Sequence, residues 1–280
     1  MSETNDRRRA SGAKPDSESS VSPESPVPAL DVERYLDRIS YIGSLEPTAE
    51  TLDALHQAHL FSVPFENLNI HNNLAISLEP EQLYRKIVEQ RRGGFCYELN
   101  GLFSRLLKEL GYQVTLLSAG VKHKSDESYG PEFDHLTLLV ELEQRWLADV
   151  GFGIGFRHPL LLDNREKQEQ EVESYKFIDE DDYVILMRRK YLEDWRPAYR
   201  FKLVPRQYDD FLGMCRYHTT SPESPFLKHP LIVMDQPDGK MELMDRRFTR
   251  TFPDGSTEQH ELDDAAYKIF LREKFGVVIP

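Results

Sequence analysis

The chain has 280 residues, enough for one large domain or two to three small ones. Hydrophobic residues make up 39% and charged residues 30%, the balance of a soluble globular protein. A net charge of -13 excludes a broad nucleic-acid-binding surface, which needs a basic face, but leaves room for a small anionic ligand in a pocket of opposite local sign.

Residues 1–29 are rich in Ser, Pro, Glu and Arg and read as a disordered extension. No apolar core follows Arg7-Arg8-Arg9, so a signal peptide is not expected, and no run is long and apolar enough for a membrane span. Asp31 can cap a helix carrying Val32, Tyr35, Leu36 and Ile39 on one side, with Gly43 as its stop. Thr48 can cap a second helix through Leu52, Leu55 and Leu60, and Pro80 suits the first turn of a third with Leu83, Ile87 and Val88. A fourth helix-like run, Leu99 to Leu110, follows Cys96 and places it at or near the helix start, and Gly111 stops the run. The period then changes. Strands are expected at 114–119, 135–142, 145–150, 182–189 and 199–204, as a β-rich part built of antiparallel hairpins. A short helix over 205–216 follows, then strands at 231–235, 240–244 and 247–252 and a last helix over 263–275 behind Asp263-Asp264.

Two cysteines, Cys96 and Cys215, are too few for a secreted disulfide scaffold and point to a reducing cytoplasm. Cys96 stands out. Arg91-Arg92-Gly93-Gly94-Phe95 leads into it, and the fourth helix follows. A helix start offers unpaired N–H groups and a positive dipole end, which stabilise a thiolate. Arg92 is expected to pair with Glu66 or Glu98.

A thiolate nucleophile needs a base, and the base an orienting acceptor. Of 9 histidines, His135 opens a strongly expected strand, which gives a rigid placement. Asp149, between Ala148 and Val150, is the matching carboxylate, or else a cap for the turn Gly151-Phe152-Gly153. Strand parity tests the link. A two-residue turn at Glu143-Gln144 would put His135 and Asp149 on opposite faces, whereas a three-residue turn at Leu142-Glu143-Gln144 pairs Glu141 with Arg145 and brings them together. An odd-length turn or a bulge is expected. No Cys/His cluster has metal-ligand spacing, so no metal is expected.

Arg92-Gly93-Gly94-Phe95-Cys96-Tyr97-Glu98 resembles the nucleophile motif of arylamine N-acetyltransferases. Pro64-Phe65-Glu66-Asn67-Leu68, His135-Leu136-Thr137-Leu138-Leu139-Val140, Asp149-Val150-Gly151-Phe152-Gly153 and Thr220-Ser221-Pro222-Glu223-Ser224-Pro225-Phe226 resemble four further segments of that family, in the family's order. The resemblance implies an α+β fold with a cysteine-protease-like Cys-His-Asp core. A helical bundle (30–112) would carry the nucleophile, an antiparallel β-barrel (113–216) the histidine and aspartate, and an α/β lid (217–280) would follow. It implies Cys96, His135 and Asp149 as a triad, with ping-pong transfer of an acetyl group from acetyl-CoA to an arylamine, arylhydrazine or N-hydroxyarylamine. Phe95 and Phe152 then line the acceptor pocket or simply pack in the core. Lys122, Lys124, Tyr129 and Gly130 either approach the CoA diphosphate or sit in a solvated loop. Other acyl donors, a papain- or transglutaminase-like hydrolase and a non-catalytic binding protein stand as alternatives.

Overall fold

In the computed structural model, described for residues 29–123, 128–153, 155–190 and 193–279, the helices begin where capping side chains sit. Asp31 accepts the Arg34 N–H (3.1 Å) at the start of α1 (Val32–Arg38), and Thr48 accepts the Thr51 N–H (3.2 Å) at the start of α2 (Ala49–Ser62). The expected stop at Gly43 is corrected: α1 ends at Arg38, because Ser40 turns left-handed (φ 55) and Arg38 bends inward to donate to the Ile87 and Ser62 carbonyls. The tail 1–28 lies outside the described residues.

A strand that the sequence reading missed, β1 (Phe65–Glu66), precedes α3 (Leu68–His71) and α4 (Pro80–Tyr84), which continues into a wider helical turn at Arg85–Glu89. α5 (Cys96–Glu109) then crosses the middle of the molecule, and Gly111 (φ 91) ends it as expected. Leu99, Leu102, Phe103, Leu106 and Leu107 on α5 are wholly buried.

Eight antiparallel strands follow: β2 (Gln113–Val121), β3 (His135–Glu141), β4 (Arg145–Ala148), β5 (Leu160–Leu161), β6 (Gln168–Glu169), β7 (Glu173–Glu180), β8 (Tyr183–Lys190) and β9 (Arg196–Phe201). Their order is β5-β4-β3-β2-β9-β8-β7-β6. The Gln168 side-chain amide reaches from one edge strand to the other, accepting the Leu161 N–H (2.8 Å) and donating to the Leu161 carbonyl (3.1 Å). The sheet is thus barrel-like, and at this point a side chain bridges its two edges in place of a ladder. Both faces of β2 and β3 are covered. Leu116, Leu136, Leu138 and Val140 pack toward α5, while Leu117 and Leu139 pack inside the curl with Phe177, Tyr199 and Phe201. This two-sided burial is why residues 135–140 read as a nearly continuous apolar run.

A 3₁₀ turn at Tyr208–Phe211 leads into α6 (Leu212–Thr220), which runs past the expected end at 216. The C-terminal part holds β10 (Leu231–Gln236), β11 (Gly239–Met244), β12 (Arg247–Thr251), β13 (Thr257–Glu261) and α7 (Asp264–Phe275). These strands form a second sheet, β1-β10-β11-β12-β13, so its first strand comes from the N-terminal helical stretch. The last helix starts at its expected cap, Asp263, which accepts the Ala266 N–H at 2.8 Å. Among the described residues no helix is long and apolar enough to cross a membrane.

One histidine staples α2 to the loops of the barrel-like sheet. His158 lies 2.8 Å from Asp53 on α2 and 3.0 Å from Glu171 before β7. Burial pulls its pKa down, but the hydrogen bonds to Glu171 and Asp53 outweigh that and leave it above the ordinary value. A raised folded-state pKa contributes stability that is complete below the unfolded value of about 6.5 and fades as pH rises through the folded value. The melting-temperature difference between wild type and His158→Gln is therefore expected to be largest near pH 6 and to shrink toward alkaline pH. Thermal denaturation across that range checks it, and a pH-independent difference would deny the staple.

Candidate active site

The approach to Cys96 is set by close backbone packing. Gly94 bridges Phe65, and the Glu66 N–H donates to the Gly94 carbonyl at 2.8 Å. A Cβ at Gly93 would stand 1.9 Å from the Pro64 carbonyl oxygen, so only glycine fits there. Arg92 donates through Nε (3.0 Å) and Nη2 (2.7 Å) to Glu66 and through Nη2 to Asn69 (2.8 Å). Of the two partners open from sequence, Arg92 thus takes Glu66. Glu98 instead binds Lys86 (2.7 Å) and accepts the Phe95 N–H at the start of α5 (3.1 Å).

Cys96 is the first residue of α5 and is 2% exposed. Burial pushes its thiol well up, the Leu136 N–H pulls it down, and the Asp134 and Asp149 carboxylates push it up again. The stabilisation that a helix start offers a thiolate is therefore opposed by burial in a packed core, which the local sequence does not show.

The turn between β3 and β4 has three residues. Glu141 pairs with Arg145, Val140 with Trp146, Leu139 with Leu147 and Leu138 with Ala148, and the Leu142 N–H donates to the Gln144 carbonyl. This is the odd-length register expected from parity. Continued one step, it sets Asp149 across from Thr137, next on the same face to His135. His135 Nε2 donates to Asp149 Oδ2 at 2.7 Å, with both side chains buried. A carboxylate only accepts, so Nε2 carries a proton, and whenever the ring is neutral the lone pair lies on Nδ1.

Asp149 is a saturated acceptor. Oδ2 also takes the Tyr199 hydroxyl (3.0 Å), and Oδ1 takes Asn100 Nδ2 (2.8 Å) and the Gly151 N–H (3.0 Å). Burial pushes the Asp149 carboxyl up, but the charge and hydrogen bond of His135, with Asn100 and Gly151, more than offset it and hold it below the usual carboxylate value. Asp149 is thus the partner of a histidine as well as a local turn acceptor through Gly151, so the two readings open from sequence both hold geometrically.

Asn100 lies one helical turn after Cys96 and joins the elements. Its Nδ2 also donates to the Leu136 carbonyl (2.6 Å), and its Oδ1 accepts the Val150 N–H (2.9 Å). The Tyr97 hydroxyl donates to the Phe133 carbonyl at 2.6 Å, steadying a left-handed phenylalanine (φ 68) just ahead of His135. The sequence reading missed Asn100 and Tyr199. A signal existed for Asn100, an amide one helical turn after Cys96 and one before Phe103 in a largely apolar helix. None existed for Tyr199, whose reach to Asp149 depends on the closure of the sheet.

Phe95 is wholly buried, edge-on to Tyr97 (5.1 Å) and Phe226 (5.6 Å). Phe152, half-buried, packs against His135 (5.2 Å) and Tyr199 (5.0 Å). Lys122 Nζ lies 4.8 Å over the Tyr129 ring, and the Gly130 N–H donates to the Val121 carbonyl at 2.8 Å. Lys124 lies outside the described residues.

His135 at the start of β3 and Asp149 just past the end of β4 thus form a buried hydrogen-bonded pair, and Cys96 at the start of α5 meets the backbone of Leu136, next in the chain to His135. A family model described as N-acetyltransferase matches residues 48–280. A Salmonella typhimurium protein named Arylamine N-acetyltransferase / N-hydroxyarylamine O-acetyltransferase is 36% identical over 236 residues, 82% of this chain and 83% of its own. The solved structure of arylamine N-acetyltransferase from Salmonella typhimurium matches with a TM-score of 0.84 and 34% identity, over 88% of this chain and 90% of that one. The Mycobacterium marinum arylamine N-acetyltransferase in complex with CoA matches with a TM-score of 0.81 and 32% identity, over 88% of this chain and 93% of that one. The chain belongs to the arylamine N-acetyltransferase family of acyltransferases.

Proposed function

We propose that the protein transfers an acetyl group from acetyl-CoA to the nitrogen of an arylamine or arylhydrazine, or to the oxygen of an N-hydroxyarylamine, through an acetyl-Cys96 intermediate. The observation that carries this reading is the 2.7 Å His135–Asp149 hydrogen bond one residue from Leu136, whose N–H meets the Cys96 thiol. His135 Nδ1 takes the Cys96 proton, and the sulfur attacks the thioester carbonyl. CoA leaves with the proton returned by His135. The amine then attacks the acetyl carbonyl, His135 takes its proton, and the sulfur leaves as thiolate, to be reprotonated by His135. Asp149 orients the ring and stabilises the imidazolium. The Cys96 N–H, at a helix start, is the donor assigned to the developing oxyanion.

The M. marinum relative solved with CoA supports CoA as the donor's carrier. The name of the Salmonella relative supports aromatic amines and N-hydroxyarylamines as acceptors. Phe95 and Phe152 are assigned to the aromatic acceptor, and Lys122, Lys124, Tyr129 and Gly130 to the CoA diphosphate. Within this reading the segments 30–112, 113–216 and 217–280 carry the nucleophile, carry the base and cover the site. Both cysteines are free thiols, in keeping with the cytoplasm. The test is to incubate the protein with acetyl-CoA and follow free CoA with and without an arylamine. Release that requires the amine is expected; equal release without it would make the protein a hydrolase.

A further inference from the structure

We propose that His56 is a positioning residue of the reaction: it fixes the main chain of Asp149 and closes the base of the loop 149–157 that carries Phe152. The proposal rests on the reading of Cys96, His135 and Asp149 given above.

His56 lies on α2 and is wholly buried. Its Nε2 accepts the Asp149 N–H at 3.1 Å, and its Nδ1 lies 2.8 Å from the Arg157 carbonyl oxygen. A carbonyl only accepts, so Nδ1 carries the proton, and one neutral tautomer alone satisfies both contacts. Phe156 stacks on the ring (5.7 Å, 5° between planes) and Phe103 meets it edge-on (6.2 Å). Asp149, Asp53 and His158 are the titratable groups that act on it electrostatically. Burial, the largest influence, keeps the ring neutral, as the two contacts require.

The location matters because β4 ends at Ala148. Beyond it the ladder no longer holds the chain, and three successive N–H groups go to side chains: Asp149 to His56, Val150 to Asn100, Gly151 to Asp149 itself. Asn100 and Gly151 also hold the carboxylate, whereas His56 holds the main chain from which it projects. At the other end of the same loop His56 grips Arg157, and between the two grips Phe152 is laid against His135. Loss of the Nε2 contact frees the Asp149 main chain, and a displacement of about 1 Å at such a point is worth up to roughly 100-fold in rate.

Two amide replacements separate the contacts. In His56→Gln the amide reaches the position of Nε2, and in His56→Asn it reaches only that of Nδ1. We expect His56→Asn to lower kcat/KM for acetyl transfer roughly 10- to 100-fold, and His56→Gln to restore most of it. The decisive readout is the pH dependence of Cys96 alkylation by iodoacetamide, which follows proton exchange between Cys96 and His135 whether or not acetyl transfer occurs. The profile of His56→Asn is expected to move away from wild type and that of His56→Gln to stay near it. Folded His56→Asn protein with wild-type kcat/KM and an unmoved profile overturns the proposal, as does a profile moved equally by both variants. A wild-type protein that shows no amine-dependent CoA release would instead overturn the functional reading, so the two failures are distinguishable.

Discussion

Cys96→Ser is expected to lower acetyl transfer by at least about 10⁴-fold while leaving the melting temperature nearly unchanged. The site explains both halves. A hydroxyl is close in size to the thiol it replaces in a place that is 2% exposed, and the Leu136 N–H still has an oxygen to meet. The chemistry, however, depends on sulfur. Burial disfavours a free Cys96 thiolate, and in the proposed mechanism the thiol proton passes to His135. A serine hydroxyl is a far weaker acid and does not yield its proton to an imidazole without the attack itself. Steady-state turnover with acetyl-CoA and an arylamine, beside a thermal melt, checks this; activity within tenfold of wild type would remove Cys96 from the mechanism.

Asp149→Asn is expected to cost about 10³- to 10⁴-fold in kcat/KM, and unlike Cys96→Ser it costs stability as well. Four donors converge on the two oxygens: His135 Nε2, the Tyr199 hydroxyl, Asn100 Nδ2 and the Gly151 N–H. An amide has one oxygen. Whichever way it turns, its NH₂ faces two donors, and each buried donor left unpaired costs about 1–3 kcal/mol. If the NH₂ faces His135, the ring must take the other tautomer and Nδ1 loses its lone pair to a proton. The pH dependence carries a definite sign. Because the Asp149 carboxyl titrates below its ordinary value, its contribution to stability is complete above the unfolded value of about 3.9 and is lost as pH falls through the folded value. The stability gap between wild type and Asp149→Asn is therefore expected to be full near neutrality and to close in strong acid, as read from denaturant unfolding over that range. A variant with near-wild-type kcat/KM would show that His135 does not need this partner.

Much of this site was legible in one chain because its logic is local. The glycines before Cys96, the stop at Gly111 and the caps at Asp31, Thr48 and Asp263 are short-range features, and they occur where sequence reasoning put them. The His135–Asp149 pairing was legible through parity, since a three-residue turn at Leu142-Glu143-Gln144 is the simplest way to bring both to one face. What stayed hidden depends on distant partners. β1 is two residues long and finds its partner at Ile232 and Val233. β7 alternates Tyr175 and Phe177 inward, but the Glu and Asp residues around them obscure the pattern. Tyr199 and His56 meet Asp149 through its side chain and its main chain, from elements far away in sequence. The burial that opposes ionisation of Cys96 stayed hidden for a related reason, because the helix start is visible in the sequence and the packing around the thiol is not.

The covalent intermediate gives the most direct test. Wild-type protein mixed with acetyl-CoA and no amine is expected to gain the mass of one acetyl group, located on Cys96 by peptide mapping, and to lose it on addition of an arylamine with formation of the N-acetyl product. No acetyl group on Cys96, an acetyl group on another residue that the amine discharges, or loss of the group to water as fast without amine as with it would contradict a two-step transferase built on Cys96.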